Sequence, residues 1–108
     1  MFTIKMHYAA EDEILELSDE LRGRTVKLID QLKQDGKLEM PKGRALGSGL
    51  FEIRASERNN IARTIYVYQK SKTIFILHAF VKKTEKTPIK SLTIARKRQK
   101  EMLENEYE

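Results

Sequence analysis

From Thr73 to Val81 the chain is almost continuously apolar: Ile74, Phe75, Ile76 and Leu77 lead through His78 to Ala79, Phe80 and Val81. The run is far short of the roughly 20 residues a membrane helix needs, and its β-branched and aromatic content suits a strand. A strand without polar alternation is buried on both faces, so other elements must cover it. Two further strands precede it. Leu50 to Ala55 alternates Phe51 and Ile53 with Glu52 and Arg54, and Ala62 to Tyr68 is rich in Ile, Val, Tyr and Thr. Gln69 to Lys72 is short and polar enough for a hairpin, and Asn59 and Asn60 suit the preceding turn.

The N-terminal part reads differently. Phe2, Ile4 and Met6 alternate with polar residues and predict a half-buried strand. Ala10, Ile14, Leu17 and Leu21 form one face of an amphipathic helix, expected to break or bend at Gly23. A second stripe through Val26, Ile29 and Lys33, with Leu28 and Leu32 beside it, ends at Gly36. Gly36 to Gly49 carries four glycines and Pro41 and is expected to be a loop, with a basic patch at Lys42 and Arg44. Thr87 before Pro88 reads as an N-cap, and Leu92, Ala95, Met102 and Leu103 support a closing helix. Strand, two helices, three strands and a helix make an α+β domain: a small antiparallel sheet packed against two N-terminal helices, with a C-terminal helix. At 108 residues, a single domain spanning 1–108 is expected.

Composition narrows the chemistry. Cysteine is absent, which removes disulfides, thiolate metal sites and cysteine nucleophiles. Two histidines far apart suggest no zinc site, no Gly-rich phosphate loop has the required spacing, and no cofactor is expected. Without a signal-peptide layout or a membrane helix, a cytoplasmic protein is expected. The formal net charge is +5, but residues 1–40 are net acidic, and Lys82 to Lys100 holds eight cations and one anion, Glu85. Such a block attracts polyanions, nucleic acid above all, although a solvated basic face gives the same composition.

Arg54 and Arg63 lie on neighbouring predicted strands, and Lys82, Lys83 and Lys86 follow the last one. In an antiparallel sheet these cations can converge. RNA cleavage by attack of its own 2′-OH builds negative charge at phosphorus, which fixed Arg and Lys stabilise without a metal. Phe80 offers a surface for an unpaired base, and His78 is the titratable group near neutrality able to move a proton. Each has a plainer role: His78 as a core histidine, Phe80 as core, Arg54 paired to Glu52 or Glu57. On the residues alone, a basic RNA-binding module and a metal-free ribonuclease compete.

The segments Gly49-Leu50-Phe51-Glu52-Ile53-Arg54, Arg63-Thr64-Ile65-Tyr66, Leu77-His78-Ala79-Phe80-Val81-Lys82-Lys83-Thr84-Glu85-Lys86-Thr87-Pro88 and Ala95-Arg96-Lys97-Arg98 resemble the phage-derived HigB-like branch of the RelE/ParE toxin superfamily. The resemblance spans about residues 2–100 and implies a RelE-like fold. It implies the toxin of a type II toxin–antitoxin pair, a metal-independent endoribonuclease that cuts mRNA on the ribosome. Its partner would be a HigA-like helix-turn-helix antitoxin, through which alone it would meet operator DNA. The family's cationic positions fall on Arg54, Arg63 and Lys83. The first two would clamp phosphate, and Lys83 would stabilise the transition state or help the leaving group. His78 as base is a reading of the residues. Lys42, Arg44, Phe80, Lys82 and Lys86 complete the expected RNA contacts. Glu52 stands where RelE-type toxins often carry lysine. The alternative is a non-catalytic basic binding protein, either a gyrase-directed ParE-like toxin or a degenerate toxin.

Overall fold

The apolar runs pair as neighbouring strands. In the computed structural model, which describes residues 1–82 and 86–106, β3 (Leu50–Glu57), β4 (Asn60–Gln69) and β5 (Thr73–Lys82) form an antiparallel meander. Arg58 closes the first turn with φ 54°, and Ser71 and Lys72 close the second with φ 60° and 55°. β1 (Thr3–Met6) lies parallel to β5, pairing Thr3 with Thr73 and Met6 with Ile76. The sheet order is β1-β5-β4-β3-β2, so the sheet is mixed, with one parallel edge strand on an antiparallel body. β2 (Gly43–Gly47) is the other edge, antiparallel to β3. Part of the glycine-rich stretch expected to be a loop is therefore strand. Its glycines hide the alternation of so short an edge, while Arg44 and Leu46 still point to one side.

Helices cover both faces. α1 (Tyr8–Leu15) and α2 (Asp19–Asp35) bury Ala10, Ile14, Leu21, Leu28 and Leu32 against Ile53, Ala62, Tyr66, Ile74 and Ile76. The break between these helices is at Ser18, not Gly23. Ser18 Oγ accepts from the Leu21 N–H, and Asp19 and Glu20 place negative charge in the first turn. Gly23 sits inside α2 with open space around it, so it costs the helix propensity without breaking it. Gly36 ends α2 at φ 78° and lies under the Phe2 ring, so its conformation and close contact both favour glycine. α3 (Ile89–Glu106) covers the opposite face, where Ala95, Leu92 and Met102 pack on Leu50, Ile65, Val67, Phe75 and Leu77. The Pro88 carbonyl accepts from the N–H groups of Ser91 and Leu92, so the first helical bond closes on Pro88. Thr87, expected as the cap, instead turns its hydroxyl to Glu52. β5 is buried on both faces as expected, although the middle strand is β4.

An irregularity in β5 decides which side chains meet. Ile76 pairs with Tyr66 and His78 with Ile65, leaving Leu77 as an extra residue, a β-bulge. Strict alternation would put His78 and Phe80 with Ile74 and Ile76, under α1 and α2. The bulge moves them to the α3 face.

Candidate active site on the α3 face of the sheet

On the α3 face two neighbouring cross-strand rows bring the candidate residues together. In one, Arg54, Arg63 and Phe80 stand opposite each other on β3, β4 and β5. In the other, Arg44, Glu52, Ile65 and His78 line up across β2 to β5. Opposed side chains on adjacent strands have Cβ atoms only about 4.5–5.5 Å apart, so the guanidinium groups of Arg54 and Arg63 are neighbours. Lys82, exposed, follows two residues after Phe80 on the same strand. α3 covers the apolar half of this face, and the segment entering it passes by the charged half, where Thr87 Oγ1 donates to Glu52 Oε2 at 2.8 Å.

Glu52 governs the electrostatics. It is buried, and its Oε1 lies 3.8 Å from Arg54 Nε and 3.7 Å from Arg63 Nη1. One carboxylate thus shares two guanidinium groups, and the trio carries a net charge of +1. The Arg63 side chain is 0% exposed and that of Arg54 12%. Arg54 accordingly presents what surface the pair offers, and Arg63 supports it from below.

The ring of His78 stacks on Phe80, with centroids 5.0 Å apart and planes at 24°. Its Nδ1 lies 3.0 Å from Glu13 Oε1, and Arg98 from α3 donates to the same oxygen at 2.8 Å and to the Leu77 carbonyl at 3.1 Å. Burial lowers the His78 pKa, and the Glu13 carboxylate offsets part of that effect. Burial alone would raise the Glu13 carboxyl, but bonds from Arg98, the Ala79 N–H and His78 outweigh it and lower its pKa. His78 is therefore neutral, and Glu13 ionised, at neutral pH.

The remaining candidates are placed more loosely. Arg44 is half-buried in the Glu52 row. Lys42 is exposed beside it, its carbonyl accepting from the Arg54 N–H. Lys86 is exposed at the approach to α3. Lys83 lies outside the described residues. Nothing local in the sequence ties Glu13 or Arg98 to this site. Glu13 sits on the acidic side of α1, and only the tertiary fold brings it to β5. Arg98 read as one more cation on the solvated side of the last helix.

A mixed five-stranded sheet with two helices on one face and one on the other is a RelE-like fold. A mutant of the E. coli toxin RelE, in its free state, is similar with a TM-score of 0.65 and 19% identity over 90% of this chain and 96% of that one. No curated protein matches the sequence. The family model "Phage derived protein Gp49-like (DUF891)" matches residues 12–100. The chain belongs to that phage-derived family, as the resemblance in its motifs implied.

Proposed function

We propose that the protein is the toxin of a toxin–antitoxin pair and acts as a metal-independent endoribonuclease on ribosome-bound mRNA. The observation that carries this reading is the gathering of Arg44, Arg54, Arg63, Phe80 and His78 in two adjacent rows of one sheet face. Arg54 holds the scissile phosphate, Arg63 sustains the positive potential beneath it, Lys82 supplies charge from the end of β5, and Lys83, the next residue in sequence, stabilises the transition state or helps the leaving group. Phe80 stacks on a base, while Lys42, Arg44 and Lys86 meet the backbone on either side. His78, neutral at working pH, removes the 2′-OH proton. The cation cluster does what a metal otherwise does at a developing oxyanion. The partner is a HigA-like antitoxin with a helix-turn-helix domain, which brings the pair to operator DNA, and the protein acts in the cytoplasm. No helix among the described residues is long and apolar enough to cross a membrane.

A second reading has its own observation. The burial of Arg63 and its sharing of Glu52 with Arg54 suit a protein whose cations are structural, a degenerate or gyrase-directed toxin. Mapping mRNA 5′ ends by primer extension during induced expression separates the two. New ends inside translated regions support the nuclease. Intact mRNA with arrested replication supports the gyrase-directed toxin.

A further inference from the structure

The Oε1 atom of Glu13 is a hub. Within 3.0 Å it meets the Ala79 N–H, Arg98 Nη1 and His78 Nδ1, groups from two elements far from α1 in sequence. β1 pairs with β5 only as far as Ile76, where the His7 N–H takes the Ile76 carbonyl. Beyond that point the β5 edge is completed by the Glu13 side chain, at the bulge that turns His78 to the α3 face. Among the described residues, the charged groups that meet the His78 ring are Glu13 from α1 and Arg98 from α3, with the apolar Ile65 opposite on β4.

The geometry favours one tautomer of His78. Nδ1 of His78 lies 3.0 Å from a carboxylate oxygen and 3.2 Å from Arg98 Nη1. An unprotonated Nδ1 would set its lone pair against the carboxylate. A proton there gives Glu13 a donor, and Arg98 keeps its bonds to Glu13 and to the Leu77 carbonyl. We infer that Glu13 is a positioning residue, which holds His78 in the Nδ1–H form and so leaves Nε2 as the atom that takes the proton from the RNA 2′-OH. This rests on the nuclease reading above and assigns within it a residue that touches no substrate. In the step concerned, the 2′-oxygen forms a bond to phosphorus, its proton passes to Nε2, and the bond from phosphorus to the 5′-oxygen breaks, that oxygen leaving with the electron pair and taking a proton from water. The imidazolium so formed is stabilised by the ionised Glu13 behind it.

The test is Glu13→Gln, whose amide oxygen can still accept from Ala79 and Arg98 but which has lost the charge. Long-range 1H–15N spectra of the wild type should show the His78 proton on Nδ1. In the variant that preference should weaken and the His78 titration should move to lower pH. RNA cleavage at pH 7 should fall roughly 100-fold with the acid limb of the pH profile displaced the same way, while the protein stays folded at the assay temperature despite a lowered thermal midpoint. A wild-type His78 protonated on Nε2 overturns the inference. So does a Glu13→Gln protein whose rate and pH profile match the wild type. A wild type that never cuts RNA instead refutes the nuclease reading, and the tautomer measurement then still decides whether Glu13 orients His78.

Discussion

Arg54 and Arg63 oppose each other across β3 and β4, and a single buried oxygen, Glu52 Oε1, stands 3.8 Å from the first and 3.7 Å from the second. Two like charges on directly paired residues repel unless an anion lies between them. The candidate site therefore exists because Glu52 is part of it. The same carboxylate, through Oε2, ties down Thr87 and with it the approach to α3.

Removing that anion should be costly. Glu52→Ala leaves two guanidinium groups, one wholly buried, without their shared counter-charge, and should destabilise the fold by about 3–5 kcal/mol. Urea denaturation followed by circular dichroism measures it. A loss below about 1 kcal/mol would mean that the trio is not held together by Glu52.

Arg63 calls for a gentler substitution than alanine, because its side chain is buried and truncation would also orphan Glu52. Arg63→Lys keeps the charge and loses the planar fork. Cleavage should fall by less than the roughly 100–1000-fold typical of one lost transition-state contact, because the buried Arg63 acts through Arg54, while the protein stays folded. Full activity in a folded Arg63→Lys protein would reduce Arg63 to a structural cation.

Acid should destabilise the protein in two stages. The folded pKa of His78 lies below its ordinary value of 6.5, so the unfolded chain binds that proton more readily. Stability is complete above pH 6.5 and declines as the pH falls toward the folded value. Glu13 is also lowered, from 4.5, and its contribution is lost as the pH falls from there through its folded value. Thermal midpoints between pH 8 and pH 3 should fall in both windows. Replacing His78 with Gln should flatten the upper one, which a spectroscopic titration can verify.

His7 holds α1 from both ring nitrogens. Its Nδ1 accepts from the Ala9 N–H, so the proton sits on Nε2, which donates to Glu101 of α3 at 2.8 Å. His7→Ala should cost about 1–2 kcal/mol, mostly through the cap. Glu101→Ala, which loses only a half-exposed partner, should cost less than about 1 kcal/mol. Equal losses in the two variants, by chemical denaturation, would show that the tether rather than the cap matters.

The α+β layering and the three paired strands were legible because the alternation in Leu50 to Ala55, the β-branched and aromatic runs after it and the polar turns between them mark three strands. The neighbouring positions of Arg54 and Arg63 follow from one hairpin. The pairing of Arg54 with Glu52 was also within reach, since residues two apart on a strand share a face. The bulge at Leu77 was not, because an extra residue in an apolar run leaves no mark on a hydrophobicity pattern. It nevertheless determines that His78 and Phe80 face Arg63. Ser18 was readable as a cap, followed as it is by Asp19 and Glu20, but the apolar spacing across it continued and concealed the break. Glu13 meets His78 only because β1 is parallel to β5 and delivers α1 to its edge. That is a long-range fact no local window contains.

The most direct measurement is the map of mRNA 5′ ends in cells expressing the wild type and Arg54→Ala, the variant at the partly exposed cation of the site. A nuclease with its phosphate clamp at Arg54 gives new ends within translated messages for the wild type, and loses them in an Arg54→Ala protein that folds with the same thermal midpoint. Arrested growth with intact messages, or unchanged cutting by Arg54→Ala, would contradict that mechanism.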